Sequence, residues 1–222
     1  MIRFKNTGNK VILIFLSDFI RKIFGGDRII RISKKVTQIA KKVSNHKKIS
    51  VLDYGCGSME VSKRLQNKKF IKKIIGTDIF NYKYEKKNIK YIEKNKLFRS
   101  KIKKFDLIIS IDVLHHIGVE DSYKILNKLS KYSKYILIKD HFEHGFFSRQ
   151  LLRFVDFYAN YAYGVKIPNK YFTKKTWKST ISKTSLKEIY RADDFQQHDG
   201  LFNIILNKKH HFVSLLELNG KK

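Results

Sequence analysis

The stretch "VLDYGCGSME", Val51–Glu60, decides the fold class of this 222-residue chain. It begins as a buried strand, turns at Gly55 and Gly57, and continues with a helical pattern. A strand, a glycine turn and a helix in this order bring backbone N–H groups close to a bound nucleotide. The stretch therefore predicts a ligand-binding loop, although Met59 and Glu60 stand where such loops usually carry a last glycine.

The residues around this loop exclude phosphate-rich ligands. Counting G-x-G-x-x-G from Gly55 places Glu60 at the third glycine, and a carboxylate at a helix start repels a pyrophosphate. No Gly-Lys-Ser/Thr follows, which excludes a Walker loop. Asp78 ends the next strand-like run, about 20 residues further on, where an acid binds ribose hydroxyls. S-adenosylmethionine carries a ribose and a sulfonium cation but no phosphate, so acidic side chains beside the loop are compatible with it.

Strand-like and helix-like runs alternate after residue 48, which predicts an α/β fold with a doubly wound, mostly parallel sheet. The predicted strands are 49–53, 71–79, about 90–92, 105–114 and 135–140, and the predicted helices are 58–68 and 121–133. An aromatic-rich region at 141–180 interrupts the order and is predicted to be an insertion. A helix near 183–190 and two strand-like runs, the last at 210–218, follow it.

The predicted domains are an N-terminal helical extension, 1–46, and a larger domain, 47–222, that contains the insertion. In the extension, apolar residues at helical spacing predict helices over 12–23 and 29–43, separated by "GGD". The uncharged run before Asp18 is too short to span a membrane, and no cleavage site follows it. We expect two amphipathic helices that pack on the domain; a basic helix on a membrane surface is the alternative.

Several motifs occur in a familiar order. "VLDYGCGSM", "IIGTDI" and "FDLIISIDVLHHI" resemble motifs of the class I S-adenosylmethionine-dependent methyltransferases, and the resemblance extends over residues 48–218. It implies a seven-stranded Rossmann-like sheet with an antiparallel last strand, and S-adenosylmethionine as cofactor. Asp53 would lie near the amino-acid end of the cofactor, and Asp78 would hold both ribose hydroxyls. The implied cofactor-binding residues are Asp53, Gly55, Cys56, Gly57, Asp78, Ile79 and Asp112.

The predicted catalytic residues follow the fourth and fifth strands. A sulfonium already makes its methyl group electrophilic, so the protein must mainly align donor and acceptor and remove a proton. Side chains suited to this task are His115, His116, Asp140 and His141. One histidine of "VLHHI" could instead satisfy a backbone group behind the buried strand. The spacing of the acids and histidines matches no closed ligand set, so no metal is predicted.

The acceptor is constrained by what the motifs lack. "SIDVLHH" has no proline, unlike many methyltransferases that act on base amines, and Cys56 lies in the cofactor turn rather than at a nucleophile position. The insertion resembles that of a bacterial subgroup of small-molecule or envelope-associated enzymes. Its aromatics, with Arg149, Arg153 and Asp156 at helical spacing, predict a cap over an apolar pocket. A packed core or a homodimer interface is the alternative.

The charge balance bears on partners and location. The chain has 48 Lys and Arg against 19 Asp and Glu, a net charge of +29, and lysine dominates the dispersed surplus. This favours a solvated surface over a dedicated polyanion site, with weak association with RNA or an anionic membrane. The single cysteine fits a reducing compartment, so we expect a cytoplasmic protein, peripheral at the membrane if its acceptor is lipid-like.

Methyl transfer to oxygen or nitrogen of a small-molecule or lipid-like acceptor is the leading hypothesis. One alternative is an RNA methyltransferase that docks through its basic surface, since aromatics interleaved with basic residues can stack on bases. The other is a non-catalytic module whose cofactor site has degenerated at Met59.

Overall fold

An eight-stranded mixed sheet forms the centre of the protein. The computed structural model describes residues 27–79, 84–86, 88–99, 104–198, 203–204 and 206–220. The strands are β1 (Ile49–Tyr54), β2 (Ile71–Thr77), β3 (Glu85–Lys86), β4 (Ile89–Tyr91), β5 (Phe105–Ile111), β6 (Ser133–His141), β7 (Leu186–Ala192) and β8 (His211–Leu218).

The strand order is β3-β4-β2-β1-β5-β6-β8-β7. Strands β4, β2, β1, β5 and β6 are parallel, whereas β8 pairs antiparallel with both β6 and β7. This order confirms the predicted doubly wound, mostly parallel sheet with an antiparallel last strand; the two-residue edge strand β3 adds to the seven expected strands. The chain leaves β1 toward β2 and later returns to β5 on its other side. The switch point therefore lies between β1 and β5, where ligands bind in open α/β sheets.

Helices cover both faces of the sheet. They are α1 (27–44), α2 (Glu60–Leu65), α3 (Lys94–Arg99), α4 (Leu114–Ile117), α5 (Ser122–Leu129), α6 (Phe146–Asn160) and α7 (Lys174–Ser182). The predicted helices over 29–43, 58–68 and 121–133 are confirmed as α1, α2 and α5. The helix predicted over 12–23 lies outside the described residues.

The core has one apolar cluster on each face of the sheet. Strand β1 is buried along its whole length, and its neighbours Val51 and Leu52 face opposite clusters, as alternation along a strand requires. Helix α1 adds Ile32, Val36 and Ala40 to the cluster of Val51, so its predicted apolar face does pack on the sheet. Full burial of a side chain such as Ile32 or Val36 stabilises the fold by about 1.5–3 kcal/mol.

The helix predicted near 183–190 is wrong: this segment is strand β7, and the helix α7 precedes it. Thr173 caps α7, since its hydroxyl accepts a hydrogen bond from the Thr176 N–H and the Thr176 hydroxyl accepts one from the Thr173 N–H. The capping residues and the four-residue spacing of Trp177 and Ile181 start the helix earlier than predicted. In β7, buried Leu186 begins a two-residue alternation along an edge of the sheet.

The aromatic insertion consists of α6, a 3-10 turn at Tyr161–Tyr163, and the segment that leads into α7. Buried Glu143 anchors it after β6: Arg149 donates two hydrogen bonds to its carboxylate, at 2.6 and 2.8 Å, and the Tyr171 N–H donates a third at 3.0 Å. These contacts fix α6 over the carboxyl ends of β1, β5 and β6, which form the rim of the candidate site.

Candidate functional site

The glycine loop follows β1 at the switch point. Gly55 has a φ of 77°, and its N–H donates to the Thr77 carbonyl at 2.8 Å. A Cβ at Gly55 would lie 2.3 Å from Cγ2 of Val113, so the close approach of the loop to the chain after β5 requires glycine. Gly57 has a φ of 49°, and a Cβ there would meet nothing within 4 Å. Both glycines permit a positive φ, and Gly55 in addition permits the close packing against Val113.

Met59 adopts the backbone conformation that a glycine would favour, with a φ of 64°. Its side chain is 1% exposed and lies on Gly76 of β2, where an added Cβ would be 2.4 Å from the Met59 methyl carbon. Met59 does not line either of the two cavities described below. The missing glycine of the motif is thus replaced by a methionine that packs into the core, away from the ligand side of the loop.

Asp78 follows β2 and holds the loop from the other side. Its carboxylate accepts hydrogen bonds from the N–H groups of Gly57 and Ile79, both at 2.7 Å. Ile79 itself is 67% exposed. The arrangement brings an acid and an apolar surface to the same edge of the sheet.

Two groups beneath the loop have raised pKa values. Burial raises the pKa of the Asp53 carboxyl to about 7, although the Ser62 hydroxyl donates a hydrogen bond to it at 2.5 Å. Burial also raises the pKa of the Cys56 thiol, and the nearby acids Asp53 and Asp78 raise it further. The thiol therefore stays protonated, which argues against Cys56 as a nucleophile.

A charged cluster surrounds Asp112, which follows β5 with a φ of 55°. Its carboxylate pairs with Arg28 of α1, with Lys139 at 2.6 Å and with His141 at 3.1 Å. Burial by itself would raise the pKa of Asp112, but these neighbours hold it well below its usual value. Asp112 is consequently ionised and fixed in position.

His141 and His115 lie side by side and are both held by other side chains. His141 contacts Asp112 through Nε2 and His211 through Nδ1, at 3.0 Å. His115 is fully buried, with Nδ1 2.5 Å from Asp140 and Nε2 3.4 Å from Asp156. Burial alone would lower the pKa of His115, but Asp140 and Asp156 raise it to about 9.

His116 differs from these histidines because it borders both cavities. Its Nδ1 lies 3.0 Å from the Lys166 carbonyl, which can only accept, so Nδ1 carries the proton. Burial, followed by the charge of His115, lowers the pKa of His116 to about 4. The ring is therefore neutral near pH 7, and its Nε2 has a lone pair. His115, His116 and Asp156 also lie close enough together to share a metal ion.

Two cavities meet at the glycine loop, with volumes of about 290 and 780 Å³. The smaller one lies along β2 and the chain after β5, and its wall includes Thr77, Asp78, Ile79, Val113 and Ile117. The larger one lies beneath α6, and its wall includes Asp53, His141, Leu152, Val155 and Asp156. Both walls contain Gly55, Gly57, Ser58, Asp112, His116 and Asn160.

The structure brings most of the predicted site residues to these walls, while His115 and Asp140 lie behind them, fully buried. Sequence reasoning missed the roles of Arg28, Lys139 and Tyr171. A lysine within the otherwise apolar run "YILIKD" was the available signal for Lys139, because such a buried charge requires a partner. The pairing with Arg28 has no sequence signal, since α1 is distant along the chain.

A doubly wound sheet whose glycine loop faces carboxylates at the switch point defines the class I methyltransferase fold. A family model described as "Methyltransferase domain" matches residues 24–198, and the chain belongs to this family. The match confirms the predicted enzyme class, whose methyl donor is S-adenosylmethionine. No curated protein sequence matches the chain.

Several solved structures are similar to this chain in fold. The plantazolicin methyltransferase BpumL, solved with a triazolic desmethylPZN analog and SAH, has 13% identity and a TM-score of 0.62 over 92% of this chain and 90% of that one. A cyclopropane-fatty-acyl-phospholipid synthase-like protein from Lactobacillus casei ATCC 334 has 11% identity and a TM-score of 0.57 over 90% and 98%. An S-adenosylmethionine-dependent methyltransferase from Clostridium acetobutylicum ATCC 824 has 13% identity and a TM-score of 0.56 over 97% of this chain and 100% of that one. At these identities the similarity shows the fold alone.

Among the described residues, no helix combines the length and apolar character that a membrane span requires.

Proposed function

We propose that the protein transfers a methyl group from S-adenosylmethionine to oxygen or nitrogen of a small-molecule or lipid-like acceptor bound beneath α6. The observation that carries this proposal is the meeting of two cavities at Gly55, Gly57 and His116. One cavity has the residues suited to a nucleoside, and the other is largely roofed by the aromatic insertion. Donor and acceptor would meet at their shared wall.

The smaller cavity fits the nucleoside part of the cofactor by the chemistry of its wall. The Asp78 carboxylate is placed for ribose hydroxyls, and the exposed Ile79 offers an apolar surface for adenine. Asp53 lies in the wall of the larger cavity beside the loop, where it would face the amino-acid end. Arg64 of α2 shares that wall and suits the cofactor carboxylate. The proposed cofactor-binding residues are Asp53, Gly55, Cys56, Gly57, Asp78, Ile79 and Asp112.

S-adenosylmethionine supplies a methyl group that its sulfonium makes electrophilic, so the chain's own task is alignment and proton handling. Among the predicted catalytic residues, His116 is the one proposed to contact the acceptor, through the Nε2 that its bond to Lys166 leaves available. His115 and Asp140 are proposed to position it from behind, because both are fully buried. His141 would border the acceptor and is held by Asp112.

The outer face of α6 supports an apolar acceptor. Phe147, Phe154 and Phe157 are 87%, 61% and 36% exposed and follow one another at helical spacing, and Phe154 also lines the larger cavity. Such a stripe would contact a lipid-like acceptor, or would let this protein, if cytoplasmic, rest on a membrane surface. RNA methylation is the second candidate, since exposed aromatics on a chain with a net charge of +29 also suit unpaired bases.

Calorimetry with S-adenosylmethionine tests the proposal. We expect the wild type to bind, and Asp78→Ala to lose about 5- to 150-fold in affinity, because one or two ribose hydrogen bonds of about 1–1.5 kcal/mol each disappear. Asp121→Ala is the matched control, since this exposed acid directly before α5 pairs only with Lys124 among the ion pairs of the described residues. Circular dichroism checks that each variant folds.

Absence of binding by the folded wild type would overturn the proposal and favour a non-catalytic module. The two acceptor classes separate by their salt dependence. An affinity for single-stranded RNA that falls steeply with salt, with a slope of about −0.7 per neutralised phosphate, would favour RNA over a small acceptor.

A further inference from the structure

We propose that His115, His116 and Asp156 bind a divalent transition-metal ion at the inner end of the larger cavity. Each of these side chains offers one ligand atom, and the three atoms lie within 4.8 Å of one another. The two histidines belong to α4, whereas Asp156 belongs to α6. The group therefore exists only because the insertion folds back over the carboxyl end of β5.

His115 has the orientation of a metal-binding histidine. Its Nδ1 contacts the Asp140 carboxylate, and its Nε2 is buried without a hydrogen-bond partner, 3.4 Å from Asp156 Oδ2. A carboxylate on the far ring nitrogen is the usual outer contact of a histidine ligand, because it fixes both the tautomer and the ring orientation. Two ligands about 2.1 Å from a tetrahedral zinc ion lie about 3.4 Å apart, which matches the observed spacing.

His116 and Asp156 complete the set with contacts of the same kind. The Lys166 carbonyl accepts from Nδ1 of His116, which leaves Nε2 as the available ligand. The Tyr171 hydroxyl donates to Oδ2 of Asp156, and the Asn160 amide donates to Oδ1 at 3.4 Å. All three candidate ligands are thus oriented by further groups, although their spacing along the sequence matches no metal motif.

The donor set selects the class of ion. Two imidazole nitrogens and one carboxylate oxygen suit zinc or a neighbouring transition metal, whereas magnesium and calcium prefer oxygen ligands. Three protein ligands leave a coordination position open, and His116 and Asp156 both line the larger cavity. The role of this position rests on the proposed function: it would bind the oxygen or nitrogen of the acceptor, so that with the ion bound His116 would act on the acceptor through the metal and not directly. Binding of the ion itself does not depend on methyl transfer.

The same geometry has a metal-free interpretation, in which His115 is an imidazolium between Asp140 and Asp156. That arrangement needs no contribution from His116. The two interpretations differ in what His116 and Asp156 do for zinc affinity, so variants at these positions separate them.

The test is calorimetric titration of the chelator-treated 222-residue chain with zinc chloride alone. We expect one ion per chain for the wild type, and an affinity at least about tenfold lower for Asp156→Asn, His116→Gln and Asp140→Asn, the last because outer contacts are worth about 10–100-fold. Asp121→Asn is the control and keeps the wild-type affinity. Cobalt chloride gives a second readout, since a site with these ligands produces visible absorption that the variants weaken.

No zinc binding by the wild type, or undiminished binding by both His116→Gln and Asp156→Asn, overturns the metal site and leaves the imidazolium arrangement. Binding of S-adenosylmethionine, measured separately without metal, distinguishes this failure from a failure of the proposed function. Thermal unfolding of each variant shows whether lost affinity reflects lost folding. Asp140→Asn removes a fully buried carboxylate. The decision between the two interpretations therefore rests on His116→Gln and Asp156→Asn, because both positions border the cavity.

Discussion

Substitution of Met59 by alanine and by glycine tests whether this residue is a core side chain on a glycine-like backbone. Both variants remove the thioether that lies on Gly76, and only the glycine also relieves the left-handed backbone. Loss of the side chain lowers the free energy of unfolding, and relief of the left-handed backbone raises it. The order of stability of the two variants therefore follows from the sizes of these two effects.

Loss of a buried methionine side chain costs about 2–5 kcal/mol, and Met59 is 1% exposed, so Met59→Ala should lie within that range. A left-handed conformation costs a non-glycine residue about 1–2 kcal/mol. Glycine regains this amount but loses about 0.5–1 kcal/mol through the freedom of the unfolded chain. Met59→Gly should therefore be more stable than Met59→Ala by up to about 1.5 kcal/mol, and less stable than the wild type.

Urea unfolding followed by circular dichroism measures this order, provided that the three proteins share one m-value. Because Met59 lines neither cavity, we expect the affinity for S-adenosylmethionine to change by less than about threefold, well under 1 kcal/mol. A Met59→Gly protein as stable as the wild type would refute the packing contribution. An alanine variant more stable than the glycine variant would refute the left-handed strain.

Three further outcomes follow, two from the site and one from the core contact of α7 with β7. Gly55→Ala should abolish S-adenosylmethionine binding or folding, measured by calorimetry and circular dichroism, because its Cβ would meet Val113 at 2.3 Å. Burial raises the pKa of the Asp53 carboxyl from 3.8 to about 7. The protonated carboxyl therefore stabilises the fold at low pH, and this contribution is lost as the pH rises from about 4 to 7. Urea unfolding across pH should show Asp53→Asn losing less stability over this window than the wild type, by at most about 4 kcal/mol. Trp177→Phe should cost about 1–3 kcal/mol in the same assay, since Glu188 loses the indole N–H that donates at 2.8 Å; an unchanged midpoint would contradict this.

Much of the cofactor side could be predicted because its signals are local. Alternation and helical spacing located β1, β2, β5 and β6, and parallel strands must bring Gly55, Asp78 and Asp112 to one edge of the sheet. What failed has two causes. The fit of Met59 depends on a distant contact, with Gly76 on the neighbouring strand. The α7–β7 segment was misjudged for a local reason, because Thr173 and Thr176 cap a helix that begins before the predicted one.

The acceptor side is harder to predict for a physical reason. Its roof is a single helix whose placement depends on the pairing of Arg149 with buried Glu143 and on the contact of Tyr171 with Asp156. None of these contacts alters the loops after β1 and β2, which form the proposed cofactor site. The insertion can therefore change its aromatic face without disturbing cofactor binding, while Asp156 links that face to the histidines after β5. The contacts between α6 and α4 are therefore the ones that we expect to determine the acceptor class. There, pairing with Asp156 distinguishes His115 from an ordinary buried histidine.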